Sequence, residues 1–456
     1  MSFKQGLVAA MEAEQEMEQM EEMSSDEVVA GLPEGADSLE TDMLEAQDMG
    51  TEVDGQLEAV DSAEEDADSL QEIADVMDES AENGGMDQTA ARIAEVAVES
   101  IYSRLGIRRK AAMPAMETFG EKGNRVVATR IACEDIKETL KKVWKAILDA
   151  IVKMSDFIQG FISKLFDTNI KMMQRAVSLK EAVGKLTVGK PNADTVDSKA
   201  FGPALGGASA GDISKELQSV TAMIKAVSTE TAEVAKHIKS EDLTIYVKSK
   251  DKFDKITVPG AGVGFSKAPA SYPKAPEGMV YKMSGELPGN KVVLITSPAD
   301  DNVEGAAAVV AMKKISVTLG TFEPRKPKPT VDTMKTLSKP EMSSLIDEVV
   351  AISKEVSAAK ESVTALQESR KKVVADIGKL SALVSEVAEI KERSKQVQSM
   401  ITSFNRYSAE MSTTFGKVAI ASGKAALDYV GASLKTYSST EVALVKNKGT
   451  EVAVAK

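Results

Sequence analysis

Residues 338–387 read SKPEMSSLIDEVVAISKEVSAAKESVTALQESRKKVVADIGKLSALVSEV. Leu345, Val349, Ile352, Val356, Ala359, Val363 and Leu366 recur at alternating steps of four and three; the run breaks at Arg370 and resumes at Val373, Ile377, Leu380, Val384 and Val387. Side chains so spaced line one face of a helix, and about six heptads of this kind predict a coiled coil or a helical hairpin. Ser338 and Glu341, with Pro340 between them, form a capping-box start signal. One helix over 345–404 would be about 90 Å long at about 1.5 Å per residue. The seam needs a partner, which is either the same chain folded back or a second copy in a homo-oligomer.

Outward from this stretch the helical pattern continues. Over 118–188, Val143, Ile147, Ile151, Met154, Ile158, Phe161 and Leu165 recur at three and four, with Trp144, Leu148 and Phe157 widening the stripe and Lys145, Asp149, Lys153 and Asp156 keeping the other face wet. Residues 212–240 return to helix after a Gly, Pro and Ser-containing linker at 189–211. Between 241 and 322 the period falls to two: Leu243, Ile245 and Val247; Ile256 and Val258; Met279, Tyr281 and Met283; Val292 and Leu294; Ile315, Val317 and Leu319. These alternations, separated by Gly and Pro turns, predict a small, mostly antiparallel β insert. A Pro/Lys linker at 323–337 leads to the long coiled-coil helices of 338–437, and 438–456 form a C-terminal tail. The expected fold is mainly α: long amphipathic helices in a coiled-coil-like hairpin or rod, a small β insert, and a disordered acidic N-terminal tail.

Charge divides the chain. It has 456 residues and a formal net charge of −14, yet residues 1–91 carry 28 acidic side chains against Lys4 alone, a net of −27. The remainder carries +13. Strong self-repulsion and little apolar surface predict that 1–91 is largely disordered. From Gln88 to Ile107 a short helix is expected, with Ile93, Val96 or Ala97, Ser100 or Ile101 and Leu105 on its buried face. Arg108, Arg109 and Lys110 follow, and then a loop marked by Pro114, Gly120 and Gly123.

Composition excludes several functions. One cysteine, Cys133, rules out an intrachain disulfide framework, and with the single His237 it leaves no multi-ligand soft-metal site. No nucleophile, base and orienting acid can be assembled around either residue, so no catalytic residue, metal or cofactor is expected and the chain reads as a non-enzyme. GAGVG at 260–264 has no following helix to supply a dipole and reads as a turn rather than a phosphate loop. The Trp144 to Phe166 helix could lie on a membrane, but its polar face is mixed in sign and core packing is the stronger reading. No secretory signal or apolar span of 18 residues is visible, which predicts a soluble protein made in a reducing cytoplasm.

The acidic N-terminal stretch, then Ala115, Met116 and Glu117 before TFG, then ATRIACEDIKETLKKVWKAILDAIVKMSDFIQGFISKLF resemble the internal head proteins of phiKZ-like giant tailed bacteriophages. The resemblance is good over about residues 100–170, while the acidic prefix matches in kind. It implies a propeptide that directs the chain into the assembling capsid and a prohead protease that cuts after a small residue, any residue, then Glu. The tripeptide also occurs at Ser38 to Glu40, Ser62 to Glu64, Ser80 to Glu82 and Ala97 to Glu99, and at body positions such as Ala132 to Glu134. Ala115–Met116–Glu117, with Thr118 after the cut, is the best candidate: it lies in the Pro and Gly-marked loop and near the charge boundary. Removing 1–117 leaves 50 basic and 39 acidic residues, so the charge changes from −14 to +11.

The resemblance therefore implies a structural virion protein inside the capsid, reached from the host cytoplasm. Its expected partners are the prohead protease, other internal head and capsid proteins, and packaged double-stranded DNA bound without sequence specificity. Ejection with the DNA is a further expectation. The competing readings are a membrane-active or pore-forming ejected protein and a scaffolding protein lost from mature particles.

Overall fold

The computed structural model describes residues 37–107, 113–120, 124–186, 190–238, 243–258, 261–262, 264–300, 302–322, 331–381 and 388–437. Contacts divide the chain into two units, one built from Glu52–Asp156 and the other from residues 37–51 together with 157–437. The fold is mainly α with small antiparallel sheets.

The first unit packs three helices. Helix α1 (Asp37–Glu82) lies in the stretch expected as a disordered tail; residues 1–36 of that stretch fall outside the described residues. Its order has a physical cause. Val60, Ala63, Ala67, Leu70, Ala74, Met77 and Ala81 recur at three and four and are buried, so most of the carboxylates share the remaining faces; Asp66 is buried against Arg104. Gly84 and Gly85, with φ of 103° and 82°, turn the chain. Asp87 then caps α2 (Gln88–Leu105) by accepting from Ala90 N at 2.8 Å. The helix is where the pattern put it, but its buried face is Ala91, Ala94, Val98, Ile101, Tyr102 and Leu105, while Ile93 and Val96 are 67% and 63% exposed. The stripe was assigned to the larger side chains, and packing against neighbouring helices selected the alanines.

Helix α3 (Arg125–Gly184) supplies the third wall. The Thr129 hydroxyl accepts from Met86 N at 2.9 Å, and Cys133 Sγ lies 3.3 Å from the Ala74 carbonyl and 3.1 Å from Asp78 Oδ1. Ala128, Ala132, Ile136, Leu140, Val143, Ile147, Ile151 and Met154 are all buried. Farther along, in the second unit, Ile158, Phe161 and Leu165 continue the stripe and are buried too.

The second unit is built round α11 (Ala388–Thr436), whose surfaces from Val397 to Val430 are buried on nearly every face. Helix α5 (Ala210–Ile238) runs parallel to α9 (Lys339–Ala358) and α10 (Lys360–Ser381): Gln218 meets Glu348 at 2.7 Å, Lys225 meets Glu355 at 3.4 Å and Ser228 meets Ser362 at 3.0 Å. Helix α11 returns antiparallel, with Ser433 Oγ accepting from Leu337 N at 3.1 Å and Gly423 beside Val349. The heptad seam from Leu345 to Leu366 and Val373 is thus buried inside the chain itself, so the folded-back alternative holds for these positions. Residues 338–437 form three helices, with α9 and α10 parted at Ala359; the side chains of Ile377 and Leu380, and Val384 and Val387 altogether, lie outside the described residues.

Two further features differ from expectation. Leu243, Ile245 and Val247 form no strand; they belong to a helical turn that includes α6 (Thr244–Lys248), in which Leu243 and Val247, four apart, share the buried face. Within the linkers, β1 (Thr195–Asp197) pairs antiparallel with β6 (Thr333–Lys335). The other sheet has order β2-β3-β4-β5, from Ser266–Lys267, Met279–Met283, Lys291–Pro298 and Ser316–Thr321. Ile256 and Val258 flank only an isolated bridge from Thr257 to Glu304. The short helices α4 (Gly202–Leu205), α7 (Lys250–Phe253) and α8 (Gly305–Lys313) complete the set.

Candidate cleavage site

The junction between α2 and α3 is a 3₁₀ turn, Met116–Phe119. Thr118 N donates to the Ala115 carbonyl at 2.8 Å and Gly120 N to the Glu117 carbonyl at 3.1 Å, so the Glu117–Thr118 bond sits in a closed turn. Phe119 is fully buried and pins one end, and Arg125 Nε reaches the Gly120 carbonyl at 3.3 Å. Ala115 and Glu117 are exposed, whereas Met116 and Thr118 are half-buried. An extended conformation here requires the two turn bonds to open. Arg108, Arg109 and Lys110 lie outside the described residues.

The copies named above are placed quite differently. Ser38 to Glu40, Ser62 to Glu64 and Ser80 to Glu82 lie in α1, Ala97 to Glu99 in α2 and Ala132 to Glu134 in α3. In four of them the middle residue is packed inward: Ala63 at 3%, Ala81 at 5%, Val98 at 0% and Cys133 at 1% exposed. A protease that binds an extended strand meets such a helix only after it unwinds. The sequence prefers Ala115 to Glu117 for its loop and its place near the charge boundary, and burial of the central side chain adds a second distinction for these four copies.

The remaining singled-out residues have structural surroundings. Cys133 is buried, and burial first, then the hydrogen bond to Asp78, pushes its thiol up to about 11. The His237 side chain lies outside the described residues. Gly262, in the 260–264 turn, donates its N–H to Glu230 Oε1 at 2.9 Å, a buried carboxylate that also accepts from Tyr407 Oη. Burial and the adjacent Glu230 hold Tyr407 well above the ordinary phenol range. Among the described residues, no group of three or more His, Cys, Asp or Glu side chains could hold a metal, and no helix is long and apolar enough to cross a membrane.

Periodicity did not reveal three features. Arg370, the break in the heptad, is fully buried; Nη1 donates to Gln367 Oε1 at 2.8 Å, while Nε and Nη2 meet no acceptor among the described residues. Burial lowers its pKa to about 10. The Glu230 and Tyr407 pair was also unmarked. So was a cavity of about 430 Å³ in the second unit, lined in part by Thr51, Phe161, Leu287, Lys291, Lys417 and Lys424.

The family model of the phiKZ-like phage internal head proteins matches residues 12–432, which takes in the acidic stretch, the sheet and the helical bundle as well as the junction. The chain belongs to the phiKZ-like phage internal head proteins. No curated protein and no solved structure matches it. An internal head protein resides within the phage capsid and has a structural role, so the family agrees with the non-enzymatic reading.

Proposed function

We propose that the chain is a virion structural protein carried into the capsid by residues 1–117 and cut by the prohead protease after Glu117. Hydrolysis of the Glu117–Thr118 bond would leave a carboxylate on Glu117 and an amine on Thr118. The carrying observation is the placement of Ala115–Met116–Glu117 in an exposed turn near the charge boundary, while the described copies on its N-terminal side lie in helices. The product, 118–456, has a net charge of +11 against −14 for the whole chain. Lysines and arginines in such excess lower the energy of packing beside phosphates by screened Coulomb attraction and counterion release, without reading bases. Transit into the host with the DNA is compatible with that role.

Mass spectrometry of the protein from purified particles tests the proposal. A terminal peptide beginning at Thr118 is expected. A terminus at Met1 would sink the proteolytic switch, and absence from mature particles would assign a scaffolding role instead.

A further inference from the structure

The residues that cleavage would remove are packed on the residues it would leave. In the first unit, Thr129 holds Met86, Asp78 pairs with Lys137 and approaches Cys133, and a Cβ on Gly85 would lie 2.4 Å from the Arg125 carbonyl carbon. These polar contacts frame an apolar seam. On one side are Leu57, Val60, Leu70, Met77, Val98 and Leu105; on the other are Ile136, Leu140, Val143, Ile147, Ile151 and Met154, all 5% exposed or less. Asp66 and Arg104, 2.6 Å apart, tie α1 to α2, so the departing segment is itself a paired-helix body. In the second unit Glu45 pairs with Lys164 at 2.6 Å, and a Cβ on Gly160 would meet the Met49 methyl at 3.3 Å.

We propose that a single cut after Glu117 does not release the N-terminal fragment: residues 52–105 stay docked as a non-covalent helical subunit on the apolar face of α3. Cutting one exposed turn breaks none of the contacts named above; it only makes an intramolecular contact bimolecular. Exposing both faces of the seam to water opposes separation, because apolar burial drives association roughly in proportion to area. The change of charge from −14 to +11 therefore waits on a second event that unwinds or cuts α1 and α2 themselves. Ser62 to Glu64, Ser80 to Glu82 and Ala97 to Glu99 lie in those helices, their central residues shielded for as long as the seam holds. The inference builds on the cleavage position proposed above, but its test does not depend on that position being used in the virion.

The test uses the full chain carrying a recognition sequence for an unrelated site-specific protease at the Glu117–Thr118 junction. After the nick, native mass spectrometry and size-exclusion chromatography should show both fragments in one 1:1 species. Cys133, covered by Ala74 and Asp78 of α1, should react with a maleimide on the order of 100-fold more slowly than in denaturant, both before and after the nick. Separation of the fragments on the column, with Cys133 labelling at the denatured rate, would overturn the proposal. The double variant Leu70→Asp and Met77→Asp supplies the second arm. Its fragments should part after the same nick, and co-migration despite the two buried charges would show that the seam is not what holds them.

Discussion

Helices α1 and α11 are nearly equal in length, at 46 and 49 residues, and solve opposite problems. Helix α1 buries one narrow stripe, rich in alanine, and leaves most of its carboxylates, Asp66 apart, on the remaining faces. Helix α11 is enclosed on nearly every face and carries its polar groups inward: Ser403, Ser408, Ser412 and Thr413 each donate to the carbonyl four residues back, at 2.8 to 3.0 Å. Those hydroxyls are satisfied within their own helix, so they can be buried at little cost. At Gly416 and Gly423, where a Cβ would lie 2.8 Å from Leu165 and 2.3 Å from Met172, α3 comes close to α11. A helix wet along much of its surface can be removed by cutting a neighbouring turn and breaking one seam. A helix enclosed all round is the core.

The contrast can be broken most forcefully at α11. Phe404→Ala removes a ring 2% exposed and should cost about 4 kcal/mol by denaturant unfolding, with native Cys133 labelling unchanged. Faster labelling would mean that the two units do not respond separately. Leu70→Ala in α1 should cost about 3 kcal/mol and should speed Cys133 labelling; a protected thiol in that variant would contradict the packing assigned to α1. Arg370→Met should have the opposite sign, raising stability by about 2 kcal/mol, because a buried cation with two nitrogens that meet no acceptor among the described residues gives way to an apolar side chain of similar reach. A loss of stability there would reveal an acceptor for the guanidinium.

The smallest effect lies at the start of α9. Ser338→Ala should cost about 1 kcal/mol. Glu341 Oε2 accepts from the Ser338 N–H and hydroxyl, each at 2.7 Å. Burial opposes ionisation of Glu341, but these bonds and Lys335 outweigh it and hold its pKa below the ordinary value. A folded-state pKa below the unfolded one gives stability that is complete above the unfolded value of about 4.3 and is lost as pH falls through the folded value. The stability difference between wild type and Ser338→Ala should therefore shrink on acidification. A difference that grows as the pH falls would reverse the assigned sign.

The bundle was readable where period and capping agreed: Leu345 to Leu366 gave the seam, and Ser338 with Glu341 gave its start. The sheet was readable where alternation was flanked by turns, as at Met279 to Met283. The alternation at Leu243 to Val247 misled because positions two apart on a strand include a pair four apart on a helix. Helix α1 was obscured by its charge, although Val60, Ala63, Ala67, Leu70, Ala74, Met77 and Ala81 carry a heptad as regular as the one that was read. Alanine contributes little to a hydrophobic average but fits closely against a neighbouring helix. At the junction the tripeptide, its Pro and Gly-marked loop and the charge boundary were legible, but the shielding of other copies was not, because burial of Ala63, Ala81, Val98 and Cys133 is a property of tertiary packing.

The thiol that reports on α1 also bears on how the protein endures oxidation. Disulfide exchange proceeds through the thiolate, and at neutral pH a group of pKa about 11 is ionised in roughly one molecule in ten thousand, against a few per cent for an ordinary cysteine. Few thiolates and no open approach to the sulfur make Cys133 a poor cross-linking partner even where many copies are crowded together. While α1 stays in place, the single cysteine of the chain is kept out of redox chemistry.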